Sequence, residues 1–212
     1  EELLKHPSIT RVVMAELDAE VVRVAREHLA KVHRGAFDDP RMQVRIGDGW
    51  ALVETMAKAG NERFDLVVLD LTDPDTPAHR LYSVEFFRLL KRVMNPGAAV
   101  MLHIGSPVYK PDLVRRLLAD LSSVFAIVRP LGLYVPLYGA YWGMCCASDT
   151  LDPLALEPRV AEQRLAERGI ADLRYYNGDI HRALFALPNF FRELVPGRRA
   201  DRASQAPAHA VR

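Results

Sequence analysis

The sequence predicts an α/β protein built on a doubly wound, mostly parallel sheet that ends in an antiparallel hairpin. Segments rich in β-branched residues alternate four times with segments whose apolar residues recur at helical spacing. The segment 64–70 is mostly branched and apolar, which is typical of a strand that helices cover on both faces. After residue 125, two strand-like segments follow each other with too short a gap for a helix, so they must be antiparallel.

Three strand–helix units make up the first half of the chain, with strands at 10–17, 42–46 and 64–70. Asp18 should cap the first helix, because it directly follows a strand. Gly47-Asp48-Gly49 forms a turn after the second strand and opens a helix that should stop near Gly60. Ser83 should cap the third helix. The first helix is predicted from apolar residues that recur at helical spacing, namely Val21, Val22, Ala25, Leu29 and Val32.

The second half continues the alternation and then departs from it. The segment 95–97 (Asn-Pro-Gly) should end the third helix, and a fourth strand should span 98–104. Pro111 at a first helical position, followed by Asp112 in the first turn, starts the next helix. The hairpin strands are predicted at 125–134 and 141–147. Enzymes that bind S-adenosyl donors use this arrangement of strands.

The domain organisation follows from these elements. Residues 1–150 should form one domain, and residues 151–195 a helical extension of it with helices at 158–169 and 179–194 and a turn at Asn177-Gly178. Residues 196–212 lack periodicity and are expected to be a disordered tail. The first residue is Glu, and 1–6 is predicted to be the end of a helix stopped by Pro7, so we expect the chain to begin inside a domain.

The composition excludes several classes of protein. Half of the 212 residues are apolar and 26% are charged, as in a globular domain. The net charge is +1 without a basic stripe, so we expect no nucleic-acid partner. No apolar run approaches the roughly 20 residues that cross a bilayer, so we expect no membrane contact and a cytoplasmic protein. Cys145 and Cys146 should point to opposite faces of a strand and stay reduced.

Acidic residues follow three successive predicted strands, at the sheet edge where ligands bind. Glu16 ends the first strand, Asp48 lies between two glycines after the second, and Asp70 ends the third. A carboxylate at Glu16 could accept from a ribose diol, and one at Asp48 from an exocyclic amine such as that of adenine. A solvated strand end and an ordinary Asp-Gly turn are the simpler interpretations of these two residues.

A second carboxylate, Asp73, lies three positions after Asp70. Asp73 followed by Pro74 could be only a turn initiator, and Asp70 only a cap. The fold of the sheet does not require acidic residues at three successive strand ends. The combination favours a ligand with several hydrogen-bond donors and positive charge.

The histidines do not form a metal set, because His28 and His33 lie five apart on one helix and His79, His103 and His181 are scattered. His103 lies within the fourth strand, where a core histidine is the simpler interpretation unless its side chain reaches the crevice at the strand ends. Aromatic residues cluster at the final hairpin. Most should be packing residues, and one or two could line an alkyl chain. This cluster contains Tyr134, Tyr138, Tyr141 and Trp142.

A series of motifs resembles the polyamine aminopropyltransferases, of which spermidine synthase is the best known. Gly-Asp-Gly alone is a weak signal, but the whole series in this order is a strong one. The similarity extends from Leu3 to about Ala147 and more loosely to Val195, and the short hairpin 135–143 looks closer to the thermospermine synthases. The motifs are Glu16-Leu17-Asp18, Gly47-Asp48-Gly49, the segment 69–74 (Leu-Asp-Leu-Thr-Asp-Pro), the segment 135–138 (Val-Pro-Leu-Tyr) and Trp142-Gly143.

The resemblance implies a Rossmann-like doubly wound sheet of the S-adenosylmethionine-methyltransferase type, a homodimer and no permanent cofactor. The co-substrate would be decarboxylated S-adenosylmethionine. Glu16 would hold its ribose, Asp48 and Gly49 its adenine, and Asp70 the reacting amine. The acceptor site would be completed by Asp73, Tyr138 and His103 under a gate loop at 72–79.

Two departures from the family pattern matter. The family's Gly-Gly-Gly-Asp-Gly loop, its first strand and its N-terminal β-hairpin domain have no counterpart in this sequence. We therefore expect the chain as given to bind the donor weakly or not at all. His103 stands where the family usually has Gln, so the acceptor stays open among putrescine, spermidine and agmatine.

The predicted chemistry needs a base. An amine attacks the carbon next to a sulfonium and displaces a neutral thioether, but an amine with a pKa near 10.4 is protonated at pH 7. Exposing its lone pair costs roughly 4 to 5 kcal/mol, and Asp70 is the predicted base. Two alternatives stay open: an S-adenosylmethionine-dependent methyltransferase, and a non-catalytic homologue that only binds a nucleoside or dimerises.

Overall fold

The computed structural model describes residues 1–73, 76–171 and 173–197. The strands in these ranges are β1 (Val12–Glu16), β2 (Met42–Ile46), β3 (Phe64–Leu69), β4 (Met94–Gly105), β5 (Ile127–Val135) and β6 (Ala140–Ser148). The α-helices are α1 (Ala19–His28), α2 (Ala30–His33), α3 (Gly49–Ala59), α4 (Val84–Lys91), α5 (Pro111–Ser122), α6 (Pro158–Glu167), α7 (Gly178–Leu184) and α8 (Asn189–Arg192). Short 3-10 helices lie at Glu2–Lys5, Ala36–Asp38, Pro77–Tyr82, Pro136–Tyr138 and Pro153–Ala155.

The strands form two hydrogen-bonded groups. β1 pairs parallel with β2, and β3 parallel with β4. β6 lies antiparallel between β4 and β5, which gives the order β3-β4-β6-β5. Within the described residues no ladder joins the two groups, but the Arg11 guanidinium connects them, at 2.9 Å from a Glu62 carboxylate oxygen and 5.0 Å from the centre of the Phe64 ring. The predicted α/β class with an antiparallel hairpin is confirmed.

Local capping signals set the helix ends as predicted. The Asp18 side chain accepts a hydrogen bond from the Glu20 backbone N–H at 2.8 Å, and Ser83 Oγ accepts from the Phe86 N–H at 3.2 Å. α3 ends at Gly60, whose φ of 68° is left-handed. These predictions are confirmed because each depends on a side chain and the backbone next to it.

The first helix is shorter and more exposed than its pattern indicates. It ends at His28, and the chain resumes as the short α2. Among the apolar residues that predict this helix, Val22 is buried, whereas Val21, Leu29 and Val32 are exposed. Helical spacing shows that a face is apolar and not that another element covers it.

The fourth strand begins earlier than predicted. β4 starts at Met94 and includes the segment 95–97, which is predicted to end the third helix. Phe64 pairs with Met94 but Leu66 pairs with Ala99, so β4 bulges between these two pairs. The bulge accommodates Pro96, since an unpaired position does not require a backbone N–H.

The C-terminal helices are divided differently from the prediction. The helix expected at 179–194 is two helices, α7 and α8, and Pro188 between them cannot continue a helix because it lacks the N–H and fixes φ. Asn177 is a helix cap that accepts from the Ile180 N–H at 2.7 Å, so the predicted turn is the start of α7. α6 confirms the helix expected at 158–169. Of the predicted tail 196–212, all but Pro196 and Gly197 lies outside the described residues.

The hydrophobic core lies where α4 and α5 pack on β4 and β6. Phe87, Leu102 and Leu118 are fully buried there. Phe191 of α8 and the nearby Leu194 belong to the same cluster, so the C-terminal segment packs on the sheet. Cys145 and Cys146 are both free, as predicted, and burial raises the pKa of each thiol.

Candidate active site

The first candidate residue, Glu16, is the last residue of β1 and is half-buried. Its side-chain Oε1 accepts a hydrogen bond from the Asp18 N–H at 3.0 Å. Its backbone carbonyl accepts from the Gly47 N–H at 2.8 Å, which holds the ends of β1 and β2 together. Glu16 is thereby next to the segment that carries Asp48, as expected for adjacent parallel strands.

Asp48 caps α3 and is also paired with a distant arginine. One carboxylate oxygen accepts from the Ala51 N–H at 2.9 Å. Both oxygens accept from Arg80 Nη2, at 2.6 and 2.7 Å, and the Arg80 guanidinium lies 5.6 Å from the centre of the Trp50 ring. Gly49 is the first residue of α3. The carboxylate predicted to accept from adenine is therefore occupied by a cation from the protein itself.

Asp70 and Asp73 follow β3, as predicted, and differ in their surroundings. Asp70 is exposed, and its carboxylate has no hydrogen-bond or ion-pair partner within residues 1–73, 76–171 and 173–197. Asp73 is half-buried, with the Lys110 ammonium 3.6 Å from Oδ2. The Asp73 carbonyl accepts from the Thr76 N–H at 3.0 Å and from its hydroxyl at 2.6 Å. Pro74 and Asp75 of the predicted gate loop lie outside the described residues.

Tyr82 and His103 lie directly behind the acidic loop. His103 Nε2 is 2.8 Å from the Leu71 carbonyl oxygen and 2.8 Å from the Tyr82 hydroxyl oxygen. The Tyr82 hydroxyl donates to the Thr72 carbonyl at 3.1 Å. Burial raises the pKa of Tyr82, and the negative charges of Asp73 and Asp70 raise it further.

Tyr138 is connected to His103 through a tryptophan. The Tyr138 and Trp142 ring centres are 4.7 Å apart, and the Trp142 and His103 ring centres are 6.3 Å apart. Tyr138 is 57% exposed, so its phenol is accessible from solvent. The hairpin tip therefore lies beside the end of β4, as the predicted acceptor site requires.

The described contacts connect most of the predicted site residues. Arg80 connects Asp48 to the segment after β3, and Trp142 connects His103 to Tyr138. Glu16 is connected through the backbone, and within the described part of the chain no side-chain contact joins it to Asp70. The convergence of all three strand-end carboxylates on one hollow stays a prediction.

The sequence analysis missed three residues at this site, Arg80, Tyr82 and Lys110. Two of them are cations beside predicted carboxylates, and charge balance is the only signal that could have indicated them. Tyr82 carries a weaker signal, because a tyrosine directly before a helix cap is usually a packing residue. Their partners are 10 to 37 residues distant in sequence, and periodicity gives no information at that range.

The remaining surface features lie elsewhere. A cavity of about 230 Å³ lies between α5, β5 and the C-terminal segment, next to Phe125, Arg129 and Phe185, and no candidate residue lines it. In the ranges that the structure covers, no three His, Cys, Asp or Glu side chains are arranged to hold a metal ion. None of the helices in those ranges is long and apolar enough to cross a membrane.

Comparison with known proteins identifies the family. Residues 1–154 match the family model of the spermine/spermidine synthase domain. The chain is 48% identical over 195 residues to a polyamine aminopropyltransferase of Nitrosomonas europaea, covering 91% of this chain and 58% of that protein. It is 36% identical over 210 residues to polyamine aminopropyltransferase 2 of Hyperthermus butylicus, covering 98% of this chain and 68% of the relative.

Solved structures agree with this result. The chain matches the crystal structure of spermidine synthase from Thermotoga maritima with a TM-score of 0.80 and 28% identity, over 92% of this chain and 63% of that one. It matches a spermidine synthase in complex with the transition state analogue AdoDATO with a TM-score of 0.82 and 28% identity, over 92% and 64%. The chain thus spans less than two thirds of both structures and of the Nitrosomonas relative. Its motifs, its fold and its similarity over most of its length all show that the chain belongs to the spermine/spermidine synthase domain family.

Proposed function

We propose that this chain carries the catalytic residues of a polyamine aminopropyltransferase. The enzyme transfers the aminopropyl group of decarboxylated S-adenosylmethionine to a diamine or polyamine and releases methylthioadenosine. The observation that carries the proposal is the pair of carboxylates after β3, in a chain of this family: Asp70 is exposed without a described partner, and Asp73 is already beside an ammonium group.

The reaction assigns a separate task to each carboxylate. The acceptor nitrogen forms a bond to the propyl carbon, the carbon–sulfur bond breaks, and its electron pair stays on the departing thioether. The nitrogen loses one proton, which Asp70 accepts because it is the carboxylate without a competing partner. Both carboxylates attract the cationic acceptor and the sulfonium. Asp73 holds the second nitrogen, at the place where the Lys110 ammonium now lies.

The family resemblance assigns residues to the donor side and to the acceptor side of the proposed site. Glu16 accepts from the ribose hydroxyls, and Asp48 with Gly49 contacts the adenine at the start of α3. Tyr138 and His103 form the acceptor side with Trp142 between them. The support for these roles is that the residues lie at the carboxyl ends of parallel strands or beside them, where open α/β sheets bind ligands.

Product analysis tests this function. Because we expect weak donor binding, the protein is incubated with decarboxylated S-adenosylmethionine at millimolar concentration and, in separate reactions, with putrescine, spermidine or agmatine. Products are identified by mass spectrometry. We expect an aminopropylated amine and methylthioadenosine in equal amounts from at least one acceptor. A parallel incubation with S-adenosylmethionine that yields a methylated amine instead would identify a methyltransferase. No product from any of these incubations, with or without nucleoside binding, would identify a non-catalytic homologue.

The Arg80–Asp48 ion pair gives a prediction for donor binding. Adenine can use Asp48 only if Arg80 leaves it, so Arg80→Met should strengthen binding of methylthioadenosine. An ion pair that is about half exposed on both sides contributes roughly 0.2 to 1 kcal/mol, so the dissociation constant should fall by about 1.4- to 5-fold. Calorimetric titration measures it. Arg88→Met, at an exposed position on α4, is the control, and equal affinities of both variants and wild type would contradict the role of Asp48.

We infer that the protein is a homodimer in the cytoplasm and that 1–150 and 151–195 form one domain. The support for the first two inferences is family resemblance. The support for the third is that Phe191 and Leu194 pack in the same core as α4 and α5. Light scattering coupled to size-exclusion chromatography tests the dimer, and a monomer mass at micromolar concentration would contradict it.

A further inference from the structure

We propose that Tyr82 and His103 are positioning residues that fix the orientation of the Asp70–Asp73 loop by holding the two carbonyl groups between these carboxylates. The proposal rests on the proposed function, because it assigns a task to residues behind the same site. Both residues act through the loop backbone, so neither is required to touch the substrate.

The hydrogen-bond network defines the donors. A carbonyl oxygen can only accept, so the contact between His103 Nε2 and the Leu71 oxygen at 2.8 Å requires a proton on Nε2. The Tyr82 hydroxyl donates to the Thr72 oxygen at 3.1 Å and accepts from the same His103 N–H at 2.8 Å. Each of the two carbonyl groups between Asp70 and Asp73 is therefore held by one side chain of the pair.

The pair itself is rigidly supported. Tyr82 is 3% exposed, and its ring packs edge-on against the His103 imidazole with centres 5.8 Å apart. His103 lies on β4, which is hydrogen-bonded to β3 on one side and to β6 on the other. Tyr82 ends a 3-10 helix directly before the capped start of α4. The loop is thus attached to a central strand and to a helix start, which are more precise supports than another loop.

The orientation of the Asp70 carboxylate depends on the backbone of the loop that Tyr82 and His103 hold. Its oxygens have no partner in the described ranges that would orient them, so the backbone of the loop determines where they point. Asp73 is only loosely paired, with its Lys110 contact at 3.6 Å. Proton acceptance requires an oxygen within hydrogen-bond reach of the attacking nitrogen, and displacements of about 1 Å cost up to about 100-fold in rate.

The surroundings of His103 Nδ1 support the assignment of the donating role to Nε2. It is buried and has no hydrogen-bond partner among the described residues. With the proton on Nε2, Nδ1 is an acceptor that makes no contribution to the loop. A glutamine at this position could place its amide N–H toward the Leu71 carbonyl, whereas a leucine could not. This difference separates a positioning role from a packing role.

Steady-state kinetics of four variants tests the proposal. We expect Tyr82→Phe and His103→Leu to lower kcat/KM for the amine by about tenfold, the effect of losing one buried hydrogen bond that holds the base, with the KM of the donor unchanged within about twofold. His103→Gln should have a kcat/KM at least about threefold higher than His103→Leu, because its amide N–H can donate to the Leu71 carbonyl. Tyr175→Phe, on a tyrosine that is exposed outside the candidate site, is the matched control. Equal rates in wild type, Tyr82→Phe and His103→Leu would overturn the proposal.

A second measurement decides the proposal independently of turnover. Amide hydrogen exchange of the Thr76 N–H, which donates to the Asp73 carbonyl at 3.0 Å, should be about tenfold faster without substrate in Tyr82→Phe and His103→Leu, and unchanged in His103→Gln and Tyr175→Phe. If the wild-type protein transfers no aminopropyl group, the proposed function fails while the exchange rates still test the loop. Equal exchange in all variants would overturn the positioning role even in an active enzyme. If either Tyr82→Phe or His103→Leu does not fold, the other of these two variants is compared with wild type and His103→Gln. Faster exchange in that variant would support the proposal, and equal exchange would overturn it.

Discussion

Asp70→Asn should lower kcat for aminopropyl transfer by about 10²- to 10⁴-fold, the contribution typical of a general base. The asparagine amide has nearly the same shape but cannot accept the proton that the attacking nitrogen must lose. The substitution also removes a negative charge from the side of the site that receives a cationic amine and a sulfonium. Binding of methylthioadenosine should be unchanged within about twofold, because its adenine and ribose lie toward Glu16 and Asp48. Single-turnover rates and calorimetry measure the two quantities separately.

Asp65→Asn is the matched control for this prediction. Asp65 lies at the opposite end of the same strand, is exposed, and accepts a hydrogen bond from Asn95 Nδ2 at 2.8 Å. The same chemical change there should leave kcat within about twofold of wild type. If Asp70→Asn and Asp65→Asn had equal rates, Asp70 would not be the base, and the carboxylate pair would have only a binding role.

The pattern of correct and incorrect predictions follows the range of each signal. The limits of β2, the caps at Asp18 and Ser83 and the stop at Gly60 were predictable because each depends on a few consecutive residues. The antiparallel hairpin was predictable because no helix fits in a gap of six residues. The carboxyl ends of the first three strands were therefore predictable from the sequence. The positions of Glu16, Asp48 and Asp70 at those ends were predictable with them.

The surroundings of those carboxylates were not predictable, because they depend on distant residues. Arg80 lies 32 positions after Asp48 and reaches it only once the segment after β3 has folded over α3. The contact of His103 with Leu71 likewise joins β4 to the loop that follows the neighbouring strand β3. The exposure of Val21 and Val32 depends on which elements pack on α1, and no periodicity contains that information. The break at Pro188 differs from these cases, since the proline itself was a local signal against one continuous helix.

The C-terminal segment offers a test of whether the chain folds as one unit. Phe191→Ala should lower the free energy of unfolding by about 3 to 5 kcal/mol, the cost of removing a buried aromatic ring. Phe191 is 0% exposed, and its ring contacts Tyr141 edge-on with centres 6.3 Å apart. It also lies close to Gly143 on β6, where an added Cβ would be 3.2 Å from its ring. Urea unfolding followed by far-ultraviolet circular dichroism measures the change.

Phe190→Ala is the neighbouring control. Phe190 also contacts the Tyr141 ring, with centres 5.9 Å apart, but is 45% exposed, so its truncation should cost less than about 1.5 kcal/mol. If residues 151–195 belong to the same domain, Phe191→Ala shifts the midpoint of a single transition, because the ring fills the core shared by α4, α5 and β6. A separate, earlier transition in that variant, with the main one unmoved, would mean that α8 only docks on a sheet that is stable without it. Phe191 would then stabilise the attachment of the C-terminal segment and not the sheet that carries Asp70.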